Sequence, residues 1–179
     1  MREHALFVVV RQALAAAKQQ FGFALVHFSV QRDHLHLIAE AQDRRALARG
    51  VQGLSIRVAR AVNRCLQRKG RLFADRYHAR ALKSPREVRF ALRYVLLNVR
   101  KHARAGGVAA GFVDSRSSAA WFRCFERPPE LAFGAREVRA EWFRTSGSTD
   151  PPVAAASVWL LRSGQRRAGF FDVDDIPGA

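Results

Sequence analysis

The stretch QRDHLHLIAEA, residues 31–41, decides the fold and carries the first two candidate functional side chains. In an extended strand successive side chains point to opposite faces, so His34 and His36 project together while Leu35 and Leu37 project to the other side. Two imidazoles anchored above an apolar row form half of a divalent-metal site. Another ligand and a reactive group must then come from elsewhere in the chain.

The residues that precede this stretch predict its partner strand. The segment FALVHFSV, residues 23–30, is rich in aromatic and β-branched residues, and a turn around Asp33 joins it to the histidine strand. The two segments therefore predict a β-hairpin. His27 lacks an alternating partner, so we interpret it as a packed or edge histidine rather than a ligand. Glu40 shares the strand face of the two histidines and could tune a bound metal.

Hydrophobic periodicity predicts three helices, over residues 4–20, 44–69 and 84–104. The first has Arg11 on its polar side. The third starts with a complete set of capping signals, because Ser84 is an N-cap residue, Pro85 suits the first helical position and Glu87 completes a capping box. A short strand is expected before it, near residues 80–82.

The third helix carries the candidate reactive group. Tyr94 and Asn98 are four residues apart, so on one continuous helix they lie on the same side, one turn from each other, and can reach the same ligand. Tyr77, the other tyrosine of the chain, is the rival nucleophile, but no amide side chain follows it at this spacing. The sequence therefore favours Tyr94.

The charge of the chain indicates a polyanionic partner. The 179 residues carry a net charge of +16, and residues 41–104 contribute 18 Lys and Arg against 3 acids. Nucleic acid is the partner that such a segment favours, although a solvated surface in an arginine-rich protein is the alternative. The candidate DNA-binding residues are the helical stripe Arg57, Arg60, Arg64 and Arg68, followed by Arg76 and Arg80.

Several classes of protein are disfavoured. Cys65 and Cys124 are the only cysteines and form no CxxC pair, which argues against a disulfide framework or a cysteine zinc site. The apolar start is interrupted at Arg11, and no run of about 20 apolar residues exists. We expect a cytoplasmic, nucleoid-associated protein without a membrane segment. A zinc hydrolase is also disfavoured, because the sequence pattern indicates no acidic ligand or general base for a metal beside the histidines.

These motifs, in this order, carry a resemblance. The H-x-H strand, the long helix, the run GRLFADRYHARALKSPREVRFALRYVLLN at residues 70–98, and a tyrosine followed four residues later by an amide resemble the HUH-type single-tyrosine transposases. More narrowly, the chain is similar to the REP-associated, IS200-like branch. The resemblance covers residues 21–103, and SSAAWF and WLLRSGQRRAGFF are similar to tails found in a subgroup.

The resemblance implies a ferredoxin-like α+β fold, an antiparallel sheet with helices on one face. It further implies a catalytic domain over residues 1–106 and a mostly irregular or helical C-terminal extension over residues 107–179. Two departures are visible: the family has a strand upstream of the first helix, whereas here the helix starts almost at Met1, and Val99 follows Asn98 where the branch often has proline.

The resemblance also implies an activity, the cleavage of single-stranded or hairpin DNA. Carried over residue by residue, His34, His36 and Asn98 would hold Mg²⁺ or Mn²⁺, and Tyr94 would attack a phosphodiester to give a 5′-phosphotyrosine. The alternative is a non-catalytic, decayed protein that binds nucleic-acid hairpins. The sequence leaves open whether the protein acts as a monomer or as a homodimer.

Overall fold

A computed structural model of the chain describes residues 1, 3–102, 107–126 and 134–177. Its centre is a three-stranded antiparallel sheet in the order β1 (Gln19–Gln20), β2 (Phe23–Val30) and β3 (Leu35–Ala41). Strand β2 pairs with β3 from Phe23 opposite Ala41 to Val30 opposite Leu35. The hairpin predicted for the histidine stretch is therefore confirmed.

Helices of very different length surround this sheet. They are α1 (His4–Ala16), α2 (Arg44–Cys65), α3 (Pro85–Leu96), α4 (Asn98–His102), α5 (Ala135–Ser146) and α6 (Trp159–Arg162), with 3₁₀ segments at Ala119–Trp121 and Gly164–Ala168. Asp43 caps α2 by accepting a hydrogen bond from the Ala46 amide at 2.7 Å. Ser84 caps α3 as predicted, and Glu87 accepts from the Lys83 amide at 2.6 Å.

One face of the sheet packs against α1 and α2. Apolar side chains of both helices and of β2 form a buried core, and Leu35 and Leu37 of β3 pack against it from the sheet. Gly50 is required where α2 crosses β2, because a Cβ atom there would lie only 2.2 Å from the Phe23 ring. The alternation of β3 thus directs its leucines inward, as predicted.

The opposite face packs against α3 and the C-terminal residues. Ile38 of β3 joins a second buried core with Val88 and Leu92 of α3 and with Phe122 and Phe171 of the extension. Because His36 and Ile38 share one side of the strand, this packing brings α3 to the histidine face. The predicted α+β fold, an antiparallel sheet with packed helices, is confirmed. The expectation that the helices lie on one face was wrong, because α1 and α2 pack on one face and α3 packs on the other.

Two further observations bear on the chain organisation. The predicted domain boundary is at residue 106. Residues 103–106 lie outside the described part of the chain, so the boundary stays a prediction. In the parts that the structure describes, none of the helices combines the length and the apolar character that a membrane span requires.

The third helix differs from its prediction, because α3 ends at Leu96 and α4 begins at Asn98. The four consecutive side chains from Val95 to Asn98 are all buried. Since these side chains point around the whole helix axis, burying all four requires neighbours on every side. The Arg100 amide bonds the Leu97 carbonyl at 2.9 Å, a tighter i to i−3 turn that marks the break.

Two other expectations were wrong. Residues 80–82 have no strand conformation and belong to an irregular, mostly exposed segment that runs from the end of α2 to Ser84. Arg11 is fully buried rather than on a polar face. Its guanidinium lies over the rings of Phe7 and Trp142 and within 3.5 Å of the Glu141 carboxylate, so α5 covers it with both apolar and charged groups.

Candidate active site

His36 of β3 and His34, which directly precedes β3, lie side by side with their outer ring nitrogens facing each other. The Nε2 atoms of His34 and His36 are 3.0 Å apart. The ring centroids are 4.6 Å apart, with the rings inclined at 79°. His34 keeps 53% of its side-chain surface exposed, so the pair is accessible from solvent. The strand alternation alone accounts for this arrangement, because both side chains project from one face.

Asp33 orients the first histidine of the pair. Its carboxylate accepts a hydrogen bond from His34 Nδ1 at 2.8 Å, and this bond lowers the pKa of the Asp33 carboxyl. An ionised carboxylate can only accept, so the proton lies on Nδ1 and the lone pair of His34 on Nε2. The sequence pattern indicated Asp33 only as a turn residue, although its position directly before the histidine was a usable signal.

Tyr94 reaches the histidines from α3. Its ring meets the His36 ring edge to face, with centroids 4.9 Å apart. The Lys101 ammonium lies 4.6 Å from the centroid of the same tyrosine ring. Three of the four predicted central residues, the two histidines and the tyrosine, are therefore neighbours, although the chain separates them by more than 50 residues.

Asn98 occupies a different environment from the one predicted. It is the first residue of α4 and is fully buried. Neither its Nδ2 nor its Oδ1 atom has a hydrogen-bond partner among the described residues, so no hydrogen bond there joins it to the histidines. A buried carboxamide without partners is costly and marks a position that an ion, a water or a ligand group can satisfy. Its role as a metal ligand stays a prediction.

The histidine pair fits a divalent cation. Two ligand nitrogens, each about 2.1 Å from one cation and at right angles to each other, would be about 3.0 Å apart. The observed Nε2 separation equals this value. Metal-ligating histidines commonly donate their other ring N–H to a carboxylate, as His34 does to Asp33. Within the described residues no three His, Cys, Asp or Glu side chains form a metal-binding group, so further ligands would have to be amides, water or substrate.

The predicted DNA-binding arginines all lie at the surface. Three of them lie on α2 and three lie in the irregular segment after it. Each is exposed: Arg57, Arg60, Arg64, Arg68, Arg76 and Arg80. The exposed face of α2 is thus cationic while its opposite face supplies the core. Tyr77 is 49% exposed in the same irregular segment.

Two polar residues of the hairpin serve the fold. His27 is buried, with its Nδ1 atom 3.2 Å from the Ser118 hydroxyl, and burial lowers its pKa to about 4. It is therefore a packed histidine, as the sequence suggested. The Glu40 carboxylate accepts hydrogen bonds from the Ser157 amide and hydroxyl and from the Val158 amide, at 2.6 to 3.1 Å. Glu40 anchors the C-terminal extension to β3.

Comparison with known proteins supports one family. The family model described as "Transposase IS200 like" matches residues 3–96, which contain the hairpin, α2 and α3. Comparison with curated proteins and with solved structures gives no match. The matched segment covers more than half of the chain and includes the two histidines and the tyrosine that the fold brings together. The chain therefore belongs to the IS200-like transposase family, and DNA is its partner.

Proposed function

We propose that this protein is a metal-assisted DNA transposase that nicks single-stranded or hairpin DNA through Tyr94, in the manner of the HUH-type, REP-associated branch. The observation that carries the proposal is the contact between the His36 ring and the Tyr94 ring, beside the two facing Nε2 atoms. A nucleophile and a pair of candidate metal-ligand nitrogens therefore lie close enough together to act on one phosphate group.

Tyr94 supplies the nucleophilic oxygen. Its Oη atom would bond to phosphorus while the bond from phosphorus to the 3′ oxygen breaks, leaving a 5′-phosphotyrosine and a free 3′-hydroxyl. One phosphate ester is exchanged for another, so rejoining needs no ATP. A phenol is protonated at neutral pH and is a weak nucleophile, so the site must make the phosphorus more electrophilic and stabilise the leaving oxygen.

The two histidines would hold the group that activates the phosphate, and Asp33 would orient one of them. A bound Mg²⁺ or Mn²⁺ supplies Lewis-acid polarisation of a non-bridging phosphate oxygen and neutralises charge. His34 and His36 would hold it through Nε2, and Asp33 keeps the Nε2 lone pair of His34 available by accepting the Nδ1 proton. Asn98 is the proposed third ligand, because its buried carboxamide has an unsatisfied oxygen among the described residues. Two imidazoles and an amide are neutral and leave the cation charge for the phosphate.

The arginines of α2 supply affinity for DNA phosphates that does not depend on the DNA sequence. Exposed guanidinium groups release counterions when they contact phosphates, so binding should weaken steeply with salt. His34→Ala combined with His36→Ala should therefore abolish cleavage while hairpin binding largely persists. Equal loss of binding and cleavage would show that the histidines support the fold rather than the reaction.

A covalent-adduct assay tests the proposal. Candidate hairpins that flank the gene are incubated with the protein and Mn²⁺, and the products are separated under denaturing conditions. The wild type should form a protein–DNA adduct, Tyr94→Phe should form none, and Tyr77→Phe should match the wild type. Tyr77 is a suitable control because it is an exposed tyrosine in the cationic segment. Loss of the adduct in the Tyr77 variant alone would overturn the assignment.

The second candidate is a non-catalytic hairpin-binding protein. The observation that favours it is the complete burial of Asn98, since a buried carboxamide is not open to solvent in this conformation. Such a protein would keep salt-dependent binding to hairpin DNA but would form no adduct with any hairpin. The same assay therefore separates the two candidates.

A further inference from the structure

The C-terminal extension forms a groove with the first half of α3. The groove has a volume of about 500 Å³ and is lined by Arg86, Arg89 and Phe90 of α3 and by Arg167 of the second 3₁₀ segment. Among the described residues that line it, three are arginines and none is acidic. The groove is therefore a concentrated positive region outside the α2 stripe.

Two large aromatic rings are exposed at or beside this groove, and an arginine guanidinium lies over each of them. Phe90 is 46% exposed, and the Arg86 guanidinium carbon lies 5.5 Å from its ring centroid. Trp159 is 45% exposed, and the guanidinium carbon of Arg167 lies 5.1 Å from its ring centroid. Exposed rings interleaved with arginines are the combination that binds single strands, because bases stack on the rings while phosphates meet the cations.

Specific contacts fix the residues on both sides of the groove. The Arg89 side chain donates hydrogen bonds to the Gly169 carbonyl at 3.0 Å and to the Phe170 carbonyl at 2.7 Å, which fastens the extension to α3. The Trp159 ring lies against the backbone of Gly164, where an added Cβ atom would be 2.7 Å from the ring. These contacts hold the indole in place while leaving nearly half of it in solvent.

The groove leads to the candidate nucleophile. Arg86, Phe90 and Tyr94 follow one another at four-residue spacing and so lie along one side of α3. Each step of four residues advances about 6 Å along the helix axis. A strand lying along this row would pass from the arginine and the phenylalanine ring directly to the tyrosine.

We infer that this groove, together with Trp159 beside it, binds the unpaired DNA strand next to the nicked phosphate, with bases stacked on the rings of Phe90 and Trp159 and phosphates at Arg86 and Arg167. The inference deepens the proposed function and rests on it. It gives the C-terminal extension a role in substrate binding, separate from the phosphate contacts of α2.

Binding of a fluorescent oligothymidylate to the full-length protein, followed by anisotropy, tests the inference. Trp159→Ala should weaken binding by about five-fold to a hundred-fold, as expected for loss of one stacked base, and Trp159→Phe should restore most of it. Phe143→Ala is the matched control, because Phe143 is 53% exposed on α5 and does not line the groove, so its loss should leave affinity unchanged. Duplex DNA of the same length, which offers no free bases, should bind both variants equally.

A second variant guards against a folding defect. Arg167→Gln leaves the indole against Gly164 and removes only the cation, so it should weaken oligothymidylate binding several-fold with an unchanged melting temperature; Arg144→Gln on α5 is its control. Affinities equal to the wild type in both Trp159→Ala and Arg167→Gln would overturn the inference, as would a wild type that does not bind the oligonucleotide. A Tyr94 adduct that persists in that case would leave the proposed function standing. Loss of affinity in the groove variants without any adduct would support the groove and refute the nickase.

Discussion

Lowering the pH should destabilise the protein through His27, and the size of the effect follows from its burial. Burial lowers the pKa of His27 from 6.5 to about 4, so the folded state holds this imidazole neutral while the unfolded chain protonates it. Between these two values the unfolded state binds more protons, and stability must therefore fall as the pH falls. The loss should reach about 2 kcal/mol at pH 5 and about 3 kcal/mol near pH 4, from 1.36 kcal/mol for each pKa unit.

Urea unfolding of the wild type and of His27→Phe, measured from pH 7.5 to pH 4, provides the assay. Phenylalanine keeps a ring against Phe122, which His27 contacts at 5.4 Å between centroids, but it cannot be protonated. The other titrating groups are common to both proteins, so the difference between their unfolding free energies isolates His27. The wild type should lose about 2 kcal/mol more than the variant by pH 5. Parallel pH profiles for the two proteins would refute the reasoning.

Three further predictions test other parts of the account. Gly50→Ala should lower the free energy of unfolding by about 2 kcal/mol or more, because its Cβ atom would meet the Phe23 ring. Gly53→Ala, whose Cβ atom would meet nothing within 4 Å, should raise it by up to about 1 kcal/mol. Equal effects in thermal unfolding would contradict the packing of α2. Asp33→Asn should weaken Mn²⁺ binding by about ten-fold to a hundred-fold in calorimetry, with Asp75→Asn as the unaffected control. Replacing the arginine stripe, which runs along α2 and just past its end, by alanine should reduce the salt dependence of single-strand binding by about 0.7 in log–log slope for each DNA phosphate that the stripe neutralises. The replaced residues are Arg57, Arg60, Arg64 and Arg68. An unchanged slope would remove the stripe from the interface.

Local patterns were sufficient to predict the elements that build the site. The period-2 alternation of residues 34–41 and the capping signals at Ser84 and Glu87 act within a few residues, so they can be recognised in the sequence. The contact between His36 and Tyr94 is not local. It was predicted through the order of motifs shared with a known family, and the fold brings these two rings together.

The remaining features depend on contacts that are distant in sequence. The burial of Arg11 requires Trp142 and Glu141 of the extension, and the sequence around Arg11 contains no signal that predicts these contacts. The break at Leu97 lies where the chain is packed on all sides, and periodicity along one face cannot reveal such packing. The groove beside Phe90 likewise needs the 3₁₀ segment from Gly164 to Ala168, which the sequence indicated only as part of the C-terminal extension.

The central claim is that the histidine pair and Tyr94 act together on one DNA phosphate. The most direct measurement is mass spectrometry of the protein–DNA adduct after nuclease and protease digestion, with Mn²⁺ present or chelated. We predict that the nucleotide mass is attached to the peptide that contains Tyr94, that it requires the divalent cation, and that it disappears in the His34→Ala, His36→Ala variant. A nucleotide on the Tyr77 peptide, or an adduct that forms equally well without the cation and the histidines, would contradict the claim.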